Sequence, residues 1–282
     1  MKTGLVMEGG AMRGMFTCGV QDVFMEEGIT FDGAIGVSAG AAFGCNIKSH
    51  QIGRPIRYNK TYCRDKRYCS FHSLLKTGDL YGAEFCYHTL PYELDLFDMD
   101  TFEKDPMEFY VTCTDADTGK AVYHKCSDGR ENDIQWMRAS ASMPLVSRIV
   151  ELGGFRLLDG GVGDSIPVRY FQKKGFEKNV VILTQPLGYR KQKNKLLPLI
   201  RIAMRKYPNM IRAMANRHIR YNKTLDYIAE QEAAGKLLVI RPPKALEIGS
   251  TCKDVDELER VYQIGVATAR ENLEAVKAFL QS

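Results

Sequence analysis

Short apolar runs and longer stretches of helical periodicity take turns along the chain. Residues 3–8, Thr-Gly-Leu-Val-Met-Glu, have the apolar character of a strand buried on both faces. After the glycine loop Gly9-Gly10-Ala11-Met12-Arg13-Gly14 comes a helical pattern, with Val20, Val23 and Phe24 on one face and Gly28 closing it. A second apolar run, Gly33–Val37, follows. Strand, glycine loop, helix and strand make a βαβ unit, which predicts parallel neighbouring strands in an α/β fold. Residues 109–115 and 121–124 predict a hairpin around Asp117-Thr118-Gly119, and 149–152 with 155–158 another around Gly153-Gly154. Asp133 is placed to cap a helix running to Ala141, which Ser142-Met143-Pro144 ends. Residues 179–184 and 237–240 read as further strands. Helices are predicted from Leu196 to Lys206, from Pro208 through Ala229, and after Asp254, which with Glu257 has the form of a capping box. Residues 50–107 are less regular and read as helical and loop excursions over the active edge of the sheet, compatible with a lid, for which ordinary surface packing is the plainer account. No repeat, low-complexity tract or linker intervenes. One domain is therefore expected over 1–282, with a core at about 3–184 and a basic helical segment, last strand and C-terminal helix over 185–282.

With 282 residues and 45% hydrophobic content, the chain can build one large core. No apolar run reaches the length of a bilayer span, and no signal-peptide pattern opens the chain. The eight cysteines are scattered, with no Cys-x-x-Cys pair. That spacing fits neither a zinc site nor a disulfide framework, and it suits reduced thiols in the cytoplasm; no metal is expected. The net charge of +5 conceals an asymmetry. From Lys178 to Leu225 there are 12 Lys and Arg and no Asp or Glu, leaving 27 of the 39 basic residues against all 34 acidic ones, a net −7, elsewhere. The apolar faces of 190–223 alternate with Arg201, Arg205, Arg212, Arg217 and Arg220. A basic amphipathic segment of this kind suits peripheral contact with an anionic membrane and equally suits a solvated helix face.

The candidate chemistry centres on Gly36-x-Ser38-x-Gly40. A serine on a strand-to-helix turn is strained and projects its hydroxyl from the top of a sheet, and the flanking glycines let strand and helix backbones approach. The next helix points its N-terminus at the serine. The pentapeptide alone is also compatible with a glycine-rich turn whose serine caps a helix. The loop Gly9–Gly14 lacks the Gly-Lys-Ser/Thr of a P-loop, and Ala11 stands where a dinucleotide fingerprint has glycine, although Asp32 lies at a suitable distance for a ribose contact. Read otherwise, the loop offers unpaired N–H groups to an oxyanion. A third stretch, Asp159-Gly160-Gly161, puts a carboxylate at a strand end while the backbone turns away; an Asp-Gly turn is the plainer account of it.

A serine nucleophile needs a base. The order Ser38, Asp159, His218 matches that of an α/β-hydrolase triad, but His218 sits within a predicted helix between Arg217 and Arg220. His50, His72, His88 and His124 stand in no motif. The other option is direct proton transfer to Asp159, whose pKa burial would raise towards a useful range.

Three blocks, Gly9-Gly10-Ala11-Met12-Arg13-Gly14, Gly36-Val37-Ser38-Ala39-Gly40 and Asp159-Gly160-Gly161, stand in the order and spacing of the patatin-like phospholipases, and Ala139-Ser140-Ala141-Ser142-Met143-Pro144 resembles the family too. The resemblance runs from residue 3 to about 184. It implies a three-layer α/β/α sandwich with a mostly parallel central sheet, a Ser–Asp dyad, no metal or other cofactor, and hydrolysis of acyl esters in phospholipids or lysophospholipids. Carried over, Ser38 is the nucleophile and Asp159 the base. The amides of Gly10 and Ala11, beside Gly9, bind the oxyanion, and Arg13 steadies the loop or meets a head-group phosphate. Gly36, Gly40, Gly160 and Gly161 complete the motifs. Ala11 departs from the glycine of many members but keeps the main-chain donor. The basic segment after 185 resembles the bacterial cytoplasmic branch. The implied partner is a lipid ester, with no role for nucleic acid.

Overall fold

The computed structural model describes residues 1–282. One sheet holds β1 (Lys2–Met7), β2 (Gly33–Val37), β3 (Glu108–Asp115), β4 (Ala121–Cys126), β5 (Val150–Leu152), β6 (Phe155–Asp159), β7 (Phe176–Ile182) and β8 (Leu237–Ile240). The order is β5-β6-β3-β2-β1-β7-β8, with β4 paired to β3 off that path. The neighbours from β3 to β8 run parallel, while β4 and β6 lie antiparallel to β3 and β5 lies antiparallel to β6. The sheet is thus mixed and mostly parallel, and helices cover both faces.

Alternation explains how the apolar runs serve two cores at once. Leu5, Met7, Ala34, Val111, Cys113, Val180 and Ile182 face one way, into a cluster with Phe16, Phe24, Leu258 and Val261 from the helices Gly14–Glu26 and Val255–Gln281. Val6, Ile35, Tyr110 and Val181 face the other way, against Phe171 and against Tyr221 and Ile228 of the helix Pro208–Ala233. Full burial of each such aliphatic or aromatic side chain stabilises by about 1.5–3 kcal/mol.

Several local expectations are revised. Only a four-residue helical turn, Ala39–Ala42, follows Ser38, and a 3-10 turn over Gly44–Ile47 succeeds it. Gly40 is pressed under β1, where an added Cβ would lie 2.5 Å from the Met7 carbonyl oxygen. The glycines that allow this approach also weaken helix propagation. Asp133 is not the cap of its helix, which spans Glu131–Ser140; its Oδ2 instead accepts N–H groups from Ser127, Asp128 and Gly129. The helix expected over Leu196 to Lys206 is shorter, Leu197–Ala203. Asp254 caps the last helix as expected, but Glu257 pairs with Arg260, so the box is half formed. No helix is long and apolar enough to cross a membrane.

Candidate active site

The sheet register brings Ser38 and Asp159 together. Val37 is level with Thr112 across β2 and β3, and Cys113 is level with Asp159 across β3 and β6. The two residues therefore sit on either side of β3 at the same height, separated by two strand spacings of about 4.8 Å each, a gap that two inward side chains span. Ser38 takes φ 54° and ψ −121°, a conformation that costs an L-residue about 1–3 kcal/mol. The turn is held from β3: the Ser38 N–H donates to Ser140 Oγ at 2.8 Å, and Ser140 Oγ donates to the Thr112 carbonyl at 2.6 Å. Asp159 is fixed by the same short block, its N–H donating to the Ser142 carbonyl at 2.8 Å.

The loop after β1 closes the site. An added Cβ on Gly9 would lie 2.7 Å from the Val37 carbonyl oxygen and 2.9 Å from Ser38 Cβ, so only glycine lets the loop rest on the serine turn. The N–H groups of Gly9 and Gly10 donate to no acceptor within the protein. Ala11 has φ 49°, a left-handed backbone that glycine adopts more readily than alanine. Glu8 anchors the loop: its Oε2 accepts the Thr184 N–H at 2.7 Å, and its Oε1 accepts the Tyr221 hydroxyl at 2.5 Å.

Asp159 is 1% exposed. Its Oδ1 accepts the Gly161 N–H at 2.7 Å, while the buried Oδ2 makes no hydrogen bond of standard geometry. Burial raises its pKa, opposed first by the positive charge of Arg217 and then by the Ser38 hydroxyl, which is close enough to act on the carboxyl. In hydrogen-bonding geometry the Asp159 carboxyl is thus paired to the Gly161 N–H alone, with the Ser38 hydroxyl beside it. Burial and the neighbouring Arg217 also depress the Lys191 ammonium to about 8.

Ser38, Asp159, Gly9, Gly10, Ala11 and Arg13 all line one cavity of about 660 Å³, and 24 of its 40 lining residues are hydrophobic. Of the motif glycines, Gly161 lines it too, while Gly36, Gly40 and Gly160 pack beneath it; an added Cβ on Gly160 would lie 2.0 Å from the Thr112 carbonyl oxygen. No histidine lines the cavity. His50 bonds Asp105, His124 bonds Asp133, and His218 keeps a buried, unpartnered Nδ1 away from the cavity lining. Asp32 bonds Thr3 before β2, at the opposite edge of the sheet from Ser38. His124, Cys126 and Asp133 offer three donor atoms within 4.8 Å of one another, but the Asp133 oxygens are already engaged by His124 and the three backbone N–H groups.

The model of patatin-like phospholipases matches residues 5–171, more than half of the chain. The chain belongs to the patatin-like phospholipase family. Membership makes it a carboxylic ester hydrolase. Residues 207–281 match a second family model, a domain of unknown function. The chain is 27% identical to the uncharacterized protein YjjU of Escherichia coli over 98% of its own length and 78% of that protein. It is 23% identical to lysophospholipase nte1 of Emericella nidulans over 98% of its length, and 24% identical to that of Aspergillus terreus over 97%, spanning 18% of each fungal protein. VipD from Legionella pneumophila aligns with a TM-score of 0.48 at 10% identity, over 97% of this chain and 67% of that one.

Three contributors escaped the sequence reading. Ser140 and Ser142 belong to a block noticed only as family-like, and nothing in their spacing tells which backbone they reach. The apolar wall comes from the stretch of excursions 50–107, in which the sequence singles out no lining residue, with Tyr58, Tyr68, Tyr81, Tyr87, Leu90 and Phe97 all lining the cavity. A signal was present in its density of Tyr and Phe. Arg217 and Tyr221 lie within a helix whose inward face no motif marks.

Proposed function

We propose that this family member is a lipid acyl hydrolase working through a Ser–Asp dyad. Ser38 Oγ attacks the carbonyl carbon of a carboxylic ester while its proton passes to Asp159. The carbonyl oxygen becomes an oxyanion facing the amides of Gly9, Gly10 and Ala11, of which those of Gly9 and Gly10 are unoccupied by protein acceptors. Collapse breaks the ester C–O bond, and Asp159 returns the proton to the departing alcohol. Water then attacks the acyl-enzyme, Asp159 takes its proton, and release of the fatty acid restores the Ser38 hydroxyl. Burial lifts the Asp159 pKa towards the range a general base needs, and exclusion of water strengthens the amide contacts.

The observation that carries this reading is that a hydroxyl on a strained turn and a half-paired buried carboxyl share a largely apolar cavity that no histidine lines. That cavity suits an acyl chain. Phospholipids or lysophospholipids are the substrates we favour, and we read 1–282 as one cytoplasmic unit needing no cofactor. Within 190–223, membrane contact is best assigned around Leu196, Leu199 and Ile202, which are exposed beside Lys193, Lys195, Arg201 and Arg205, because the helix Pro208–Ala233 turns Met210, Met214 and Tyr221 inward. Steady-state turnover of lysophospholipid and of p-nitrophenyl esters tests the dyad. Ser38→Ala and Asp159→Asn are each expected to lower kcat/KM by about 10³-fold or more. Retained turnover in either variant contradicts it.

A further inference from the structure

Four cations line the cavity of Ser38: Arg54, which is committed to Asp95 and to Asn46 Oδ1, Arg13 from the loop after β1, Lys191 from the basic stretch, and Arg217 from the helix Pro208–Ala233. Their neighbours in that basic stretch are committed: Arg190 pairs with Asp226, and Arg220 donates to the Val162 and Ala213 carbonyls. Arg13, Lys191 and Arg217 have no such partners. The Nε atoms of Arg13 and Arg217 are buried and unbonded, and the Lys191 ammonium rests over the Tyr221 ring at 4.5 Å. The carboxylates at hand do not neutralise them. Both Glu8 oxygens are held by Thr184 and Tyr221, and Asp159 gives Oδ1 to Gly161. With Arg54 paired to Asp95, three unpaired positive charges thus face two carboxylates, one of which burial drives towards its neutral form. Unpaired cations at this depth are costly until an anion arrives, and guanidinium forks match phosphate oxygens.

We propose that Arg13, Lys191 and Arg217 form a subsite for a phosphate group beside Ser38, so that the preferred esters are those of a phosphate-bearing alcohol. This rests on the Ser38–Asp159 reading for the position of the scissile bond. It also gives part of the domain of unknown function a task, since Arg217 and Tyr221 come from it.

The test compares kcat/KM for 1-acylglycerol 3-phosphate with that for the monoacylglycerol of the same chain. The wild type is expected to favour the phosphate-bearing ester at least tenfold. Lys191→Met and Arg217→Met should each cut that ratio about tenfold, with Lys191→Arg and Arg217→Lys keeping most of it. In parallel, inorganic phosphate is titrated against the thermal midpoint of Ser38→Ala protein, which needs no turnover. A lipid preference lost in the Met variants, without stabilisation by inorganic phosphate, assigns the subsite to a lipid head group. Stabilisation without preference, abolished by the same substitutions, assigns it to the free ion. Equal loss on both esters, or neither effect in the wild type, overturns the subsite. Absence of turnover on every ester defeats the hydrolase reading alone, because the phosphate titration still reports on the cations.

Discussion

One side of the cavity is almost bare of side chains and the other is crowded with them. The bare side is the shelf of Gly9, Gly10, Ser38 and Gly161, where backbones lie so close that an added methyl on Gly9 would sit 2.7 Å from a carbonyl oxygen. The crowded side brings tyrosines, Leu90 and Phe97 from one stretch and Lys191, Leu196, Leu199 and Arg217 from another. In the proposed reaction the shelf presents fixed main-chain groups to the ester, which needs placement within fractions of an ångström. The wall presents bulk and charge, which set what enters. A shelf made of backbone tolerates few residue types, whereas many side chains can make an apolar wall.

Substitutions should respect that division. Gly9→Ala pushes the loop off the serine turn, and an expected loss of about 10²-fold in kcat/KM on every ester, with the fold retained by circular dichroism, would show it. Leu90→Trp on the wall should act on selectivity: the ratio of long-chain to short-chain ester turnover falls about tenfold as the apolar end fills. A fall of the same size on both esters would erase the distinction between the two sides. Ser140→Ala removes the hydroxyl that joins Ser38 N–H to Thr112, worth about 1 kcal/mol, so kcat should drop roughly fivefold with KM little changed.

Asp159 provides a pH test of the shelf. Burial raises its folded pKa, so the native state favours the protonated carboxyl, and the associated stability is lost as pH rises through that value. Asp159→Asn, always neutral, is therefore expected to melt higher than the wild type at pH 7, with the gap closing below about pH 4, where the free carboxyl is also protonated. A wild type more stable than the variant at pH 7 would mean the carboxylate is held charged. The smallest effect is expected at Ala11, whose φ of 49° is strained for an L-residue. Ala11→Gly should raise the unfolding free energy by up to about 1 kcal/mol in urea.

The same division explains what could be read before any coordinates. The βαβ unit, both hairpins and the catalytic-type motifs were legible, because Gly36, Gly40 and Gly160 answer close backbone approaches that other residues cannot meet. The cavity wall was not. Tyr58 and Phe97 join it only through packing of the excursion 50–107 over the sheet edge, a long-range arrangement without local periodicity. Ser140 acts through two hydrogen bonds, to residues 102 and 28 positions away. The shortness of the helix after Ser38 was also hidden, since propensity gives a weak account of where glycines pack against a neighbouring strand.

The proposed dyad makes Ser38 the nucleophile and Asp159 its base, with no imidazole between them. It is tested most directly by intact-mass and peptide analysis after brief exposure to a fluorophosphonate probe. One adduct is expected, on Ser38, formed at wild-type rate in His218→Ala and slowed at least about 10²-fold in Asp159→Asn. Labelling at another residue, or loss of labelling in His218→Ala with Asp159→Asn unaffected, would contradict it.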